Sequence, residues 1–155
     1  MKVNLGELSL ESPDFLHGGR LPATTSGEAG VLPTLRWSGV PGDITSFAVI
    51  VEDRDAPLID GFVHWVAYGV PASARGLGAT EQDAYGLGVT DMGTRAFVPV
   101  GPPPGHGDHY YHFHLYAIAG EPPVRPGMSA AELRAVISEY VVAQARIVGV
   151  FGGEA

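Results

Sequence analysis

Three stretches of the 155-residue chain concentrate side chains able to hydrogen-bond a ligand or move a proton: Asp53-Arg54-Asp55-Ala56-Pro57, then His64-Trp65, then residues 101–111, which read Gly-Pro-Pro-Pro-Gly-His-Gly-Asp-His-Tyr-Tyr. Each follows, opens or lies beside an apolar run of strand length, and strand ends are where loops build sites. Val49, Ile50 and Val51 lead straight into two carboxylates, so Asp53 and Asp55 emerge where such a strand stops. A carboxylate there can hold one ring nitrogen of His64 and leave the other to face a ligand. The third stretch combines rigid prolines with glycines that let backbone N–H groups approach a bound oxygen, and so resembles an anion-binding ledge. Strand alternation sets His109, Tyr111, Phe113 and Leu115 on one face, with Tyr110, His112, His114 and Tyr116 on the other. Taken singly, each stretch also has a plainer reading. Acids beside a proline turn make local hydrogen bonds, and a histidine within an apolar run can be a satisfied core residue.

Other chemistries fit the pattern less well. Imidazole is a common metal ligand, but period-two geometry separates His109 from His112 and His114. No His-Glu-x-x-His helix is present, so no metal is expected. No Gly-x-Ser-x-Gly elbow occurs, since Ser38-Gly39 follows Trp37 without the preceding glycine. Asp53 and Asp55 stand two residues apart, which gives no warrant for the carboxylate separation a glycosidase needs. A binding module without cofactor leads, and a weak hydrolase stays as an alternative.

The elements that must position these groups are short. With 22 Gly and 13 Pro, turns are frequent, and apolar runs at 31–37, 46–52, 62–70 and 110–118 have strand length. Between them, Gly18-Gly19, Pro41-Gly42, Asp60-Gly61 and Pro71 mark turns. The pattern predicts a mostly antiparallel β-sandwich. One helix is signed by Ser129-Ala130-Ala131-Glu132, a capping box, with Met128 and Leu133 as a hydrophobic staple. Leu133, Val136, Ile137, Tyr140 and Val141 continue it as a buried stripe. Beyond Val141, Ala143, Ala145, Ile147, Gly149 and Phe151 alternate with Gln144 and Arg146, which predicts a last strand.

Nothing divides the chain, so one domain over residues 1–155 is expected. The formal charge of −8 and the isoelectric point near 5.0 repel phosphodiester backbones. Nucleic acid is therefore not an expected partner, although backbone N–H groups and histidines can create a local anion site within a negative molecule. The sequence has no cysteine, no apolar run of signal-peptide length near its start and no membrane-spanning run, so a cytoplasmic protein is expected.

These segments, in this order, resemble the phosphatidylethanolamine-binding protein family, in its bacterial and archaeal Raf-kinase-inhibitor-like branch. The likeness begins at Ser12-Pro13-Asp14-Phe15 with Gly18-Gly19. It continues through Leu35-Arg36-Trp37-Ser38-Gly39-Val40-Pro41, Asp53-Arg54-Asp55-Ala56-Pro57 and His64-Trp65-Val66, then the 101–111 stretch ending in His-x-Tyr, then helix and strand. It implies a Greek-key sandwich with one C-terminal helix, short peripheral helical turns and a small cavity at one end. That cavity would bind phosphate-bearing or other small anions without catalysis, through Asp53, Asp55, His64, Gly101, Pro103, His109 and Tyr111. It also implies a cis Ala56–Pro57 bond and pairing into homodimers. A regulatory role follows too, with inhibition of a kinase or protease through the surface as the alternative.

Three positions depart from the family pattern. Arg54 stands where the family has proline, Tyr110 stands where it has arginine, and Phe97-Val98-Pro99-Val100 replaces a glycine-rich stretch. The binding account expects His64 and His109 to donate to ligand oxygens and Tyr111 to add its hydroxyl. Asp53 and Asp55 are expected to orient His64 and the loop backbone and to keep imidazole protonated.

Overall fold

Strand β3 (Ser46–Asp53) carries no polar side chain from Phe47 to Val51, and an unbroken apolar run of that length is stable only with both faces covered. The computed structural model, which describes residues 7–56, 61–102 and 105–152, covers both. Strands β1 (Ser9–Glu11), β2 (Leu35–Ser38) and β5 (Gly76–Leu77) form a three-stranded sheet in the order β1-β2-β5. Strands β3, β4 (Phe62–Pro71), β6 (Gly86–Leu87), β7 (Asp108–Ile118) and β8 (Val141–Gly152) form a five-stranded sheet in the order β6-β4-β3-β7-β8. Every pairing within the two sheets is antiparallel. The sandwich expected from the sequence is the fold.

Between the sheets, Phe47, Val49, Val51, Trp65, Phe113 and Leu115 meet Leu10, Leu35, Trp37 and Leu77. On the far side of the large sheet, Ala48, Ile50 and Val66 lie under helix α1 (Ala130–Ile137), against Met128, Leu133 and Ile137. The helix therefore completes the second half of β3's burial. Its start is the expected capping box: the Glu132 N–H donates to Ser129 Oγ at 3.1 Å, and the Ser129 N–H donates to Glu132 Oε1 at 3.0 Å. Short 3₁₀ turns at Ala23–Thr25 and Ala79–Glu81 lie between strands.

Two boundaries differ from the sequence reading, each for a physical reason. The run at 31–37 becomes a strand only from Leu35, because Pro33 has no N–H to give a ladder. Leu32 is buried all the same, with its N–H on Gln82 Oε1 at 3.2 Å. The helical stripe predicted to reach Val141 stops at Ile137. Val141 pairs with Ile118 and Ala143 with Ala117, so sheet ladder bonds claim residues whose spacing also suits a helix.

Candidate ligand-binding site

Register brings the three chemically loaded stretches together. Asp53, the last residue of β3, pairs with Phe62 of β4 on one side and Tyr111 of β7 on the other. Asp53 therefore sits between the strands that carry His64 and His109. Along β4 the pairing passes from Trp65 opposite Val51 to Val63 opposite Glu52, so His64 is an extra residue with no partner on β3. A bulge of this kind re-aims a side chain, and here it turns both His64 and Trp65 toward the face that carries Tyr111. The His64 ring lies edge-on to Phe62 at 4.8 Å and to Tyr111 at 5.3 Å between ring centres. Alternation along β7 does the rest: Tyr111 is 1% exposed and Tyr110 is 45% exposed.

The result is a cavity of about 380 Å³, walled by Ala56, Phe62, Met92, Val98, Pro99 and Pro102, with Asp53, His64, Gly101, His109 and Tyr111 supplying its polar groups. Of the residues expected in the site, these five line one hollow. Asp55 does not line it: it is exposed and acts on the backbone, accepting the Tyr110 N–H at 2.8 Å. Pro103 and the Ala56–Pro57 bond lie outside the described residues. Gly61 closes the turn into β4 at φ +69°, and a Cβ there would collide with the Asp53 carbonyl. That position is restricted to glycine by conformation and by space.

The orienting pair is not the one expected. Asp53 Oδ2 accepts from His109 Nδ1 at 2.6 Å, while its Oδ1 takes the Asp55 N–H at 2.8 Å. His64 is held instead by the Val98 carbonyl, 2.6 Å from its Nδ1. A carbonyl only accepts, so the proton of His64 is on Nδ1. The Val98 N–H also donates to the His64 carbonyl at 2.9 Å, and the Val100 N–H to the Thr25 carbonyl at 3.0 Å. Segment 97–100 is thus fixed as one wall. Both imidazoles have Nδ1 occupied by the protein, which leaves Nε2 for the cavity.

Electrostatics corrects a second expectation. Burial pushes the His64 pKa below its ordinary value, against the Val98 carbonyl and the carboxylates of Asp53 and Asp91, which push it up. Burial therefore favours a neutral His64 whose Nε2 is a lone pair, not a donor. Tyr111 is pushed well above the usual phenol range, chiefly by burial and then by Asp53, and stays a neutral hydroxyl; a backbone hydrogen bond at Gly101 offsets part of this. Sequence reasoning missed the Val98 carbonyl and Met92. A backbone acceptor carries no side-chain signature, and Met92 reaches the cavity only through tertiary packing.

These features define a class: an open antiparallel sandwich, backed by one helix, with an apolar-walled pocket at one end whose floor is two histidines, an aspartate and a tyrosine. The chain belongs to the phosphatidylethanolamine-binding protein family, whose model matches residues 11–152. The UPF0098 protein of Methanothermobacter thermautotrophicus is 34% identical over 152 residues, covering 93% of this chain and 98% of that one. The crystal structure of Escherichia coli YbcL, described as a new member of the mammalian family, superposes with a TM-score of 0.86 at 30% identity, covering 95% of this chain and 99% of its own. LppC of Mycobacterium tuberculosis, which is named as a lipoprotein, is 33% identical over 150 residues, covering 94% of this chain and 73% of LppC. No helix among the described residues is long and apolar enough to cross a membrane.

Proposed function

We propose that this protein holds the phosphate-type head group of a small molecule in the 380 Å³ hollow and does not turn it over. The observation that carries the reading is the convergence of His64 from β4 with His109 and Tyr111 from β7 on one partly open cavity with apolar walls. Such a site fits a ligand with one polar end and one apolar flank. No Ser, Thr, Cys or Lys is among the described residues that line it, and the carboxylate of Asp53 is engaged by His109 and the Asp55 N–H. The name of the matched family points to a phosphate-bearing head group.

The tautomers add a condition. With Nδ1–H of His64 committed to Val98, a neutral ring can only accept through Nε2. A phosphate oxygen therefore binds there together with a proton, carried either on the ring or on the ligand's own hydroxyl. Affinity falls as pH rises, because that proton becomes harder to supply. Isothermal titration with O-phosphoethanolamine between about pH 6 and about pH 8, in buffers of different ionisation enthalpy, reads both affinity and proton uptake. We expect several-fold weaker binding at the higher pH, uptake approaching one proton, and loss of the pH dependence in His64→Ala. Binding that is flat across the range, or intact in a His64→Ala, His109→Ala double variant, overturns the reading.

A further inference from the structure

Arg54 departs from the family pattern, and it turns away from the pocket. Its Nη2 lies 3.5 Å from Glu52 Oε2, on the helix side of the large sheet, opposite the face where Asp53 meets His109. That side carries a ladder of stacked rings along β7: His112 on His114 at 6.0 Å and 15°, and His114 on Tyr116 at 6.2 Å and 16°. Beside the ladder on β8, Arg146 pairs with His114 and Gln144 with Tyr116. Helix α1 covers Ala48, Ile50 and Val66 of this face and the Ile118 and Val141 end of β7 and β8, while the ring ladder stays half-buried and Gln144 and Arg146 exposed.

Here lies a cleft of about 640 Å³, bounded by β1 at Ser9 and lined by Arg54, His114, Tyr116, Gln144 and Arg146. That volume is within the range of small-molecule sites. No carboxylate side chain lines it, although the sequence carries 17 Asp and Glu against 9 Lys and Arg. Nearly every polar group present can donate a hydrogen bond: two guanidinium forks, an imidazole, a phenol, an amide and a hydroxyl. Glu52 is the acid beside Arg54 and His114, and its Oε2 already accepts Arg134 Nη2 at 2.6 Å and lies 2.8 Å from His114 Nε2. Glu52 also pairs with Arg54 at 3.5 Å, but this one carboxylate is shared with Arg134 and leaves net positive charge, and Arg146 has no ion pair among the described residues. The pKa of His112, at the top of the ladder, is lowered first by burial and then by His114, Arg146 and Arg54, against Glu52, which raises it.

We propose that this cleft is a second, separate anion site, in which the guanidinium groups of Arg54 and Arg146 clamp the phosphate of a small phosphorylated metabolite. Arginine forks match phosphate oxygens in pairs, and Tyr116 and Gln144 stand beside them to add further donors. The site needs nothing from His64 or His109, so it stands or falls apart from the end pocket.

The test is titration of the full chain with inorganic phosphate, and then with glucose 6-phosphate, followed residue by residue through backbone amide NMR shifts. The expected result is a set of shifts at Ser9, Gln144 and Arg146 that saturates independently of the set around Gly101 and Tyr111. In Arg146→Gln, an exposed substitution that leaves the core untouched, the first set should need about tenfold more phosphate while the second is unchanged. In His109→Ala the pattern should reverse. Phosphate shifts confined to the Gly101 set, or a β8 set that survives both Arg146→Gln and Arg54→Gln, overturn the proposal. A stronger response to glucose 6-phosphate than to phosphate identifies the metabolite class; a response to neither is a refutation.

Discussion

At Asp53 one carboxylate does two separate jobs. One oxygen takes the ring N–H of His109 and the other the backbone N–H of Asp55, and neither reaches His64. Asp55, two residues on, accepts the Tyr110 N–H from an exposed position, its one side-chain hydrogen bond among the described residues. Two acids of one type in one motif therefore differ in consequence. Asp53→Ala leaves a buried imidazole without its acceptor, and urea unfolding should show a loss of about 1–3 kcal/mol, with phosphate affinity falling about tenfold. Asp55→Ala should cost less than about 1 kcal/mol in the same assay, because water can replace an exposed acceptor. Equal losses in the two variants would contradict the assignment of Asp53 to His109.

At the scale of elements, the weak point of the helix-on-sheet contact is ionic. Glu52 is the buried acid that β3 turns toward helix α1, and the helix answers it with Arg134, whose Nε also donates to the Tyr116 hydroxyl at 3.2 Å. Burial alone would raise this carboxyl, but hydrogen bonds from His114 and Arg134, with their charge, outweigh it and hold the pKa at about 2. A carboxyl depressed from 4.5 to about 2 contributes stability that is fully present above about pH 4.5 and is lost as pH falls toward 2. The contribution is on the order of 2–3 kcal/mol. Urea midpoints measured from about pH 7 down to about pH 3 should drop in the wild type and drop distinctly less in Glu52→Gln, which already lacks the ionised group at neutral pH. The same slope in both proteins would place the acid sensitivity elsewhere.

Over the whole molecule, the two proposed sites lie back to back across one sheet, served by neighbouring residues of the same strands: Asp53 beside Glu52, Tyr111 beside His112. Alternation makes this inevitable once β3 and β7 are buried side by side, since consecutive side chains must serve opposite faces. A net charge of −8 sets the background against which both sites must attract an anion, so donors must be local and close.

The sequence by itself determined the local choices. Apolar runs and turn residues called the strands from 46, 62 and 110, Ser129 and Glu132 fixed the helix start, and alternation separated His109 and Tyr111 from His112 and His114. Each rests on chemistry between residues close along the chain, which is why it can be read there. Only the tertiary structure decided which acid holds which imidazole, which way Arg54 points, and where the helix yields to β8. A bulge at His64 and the Val98 carbonyl set the first, and ladder pairing between Val141 and Ile118 set the last. Those outcomes depend on register between distant strands and on backbone acceptors, and neither leaves a mark in residue type or spacing.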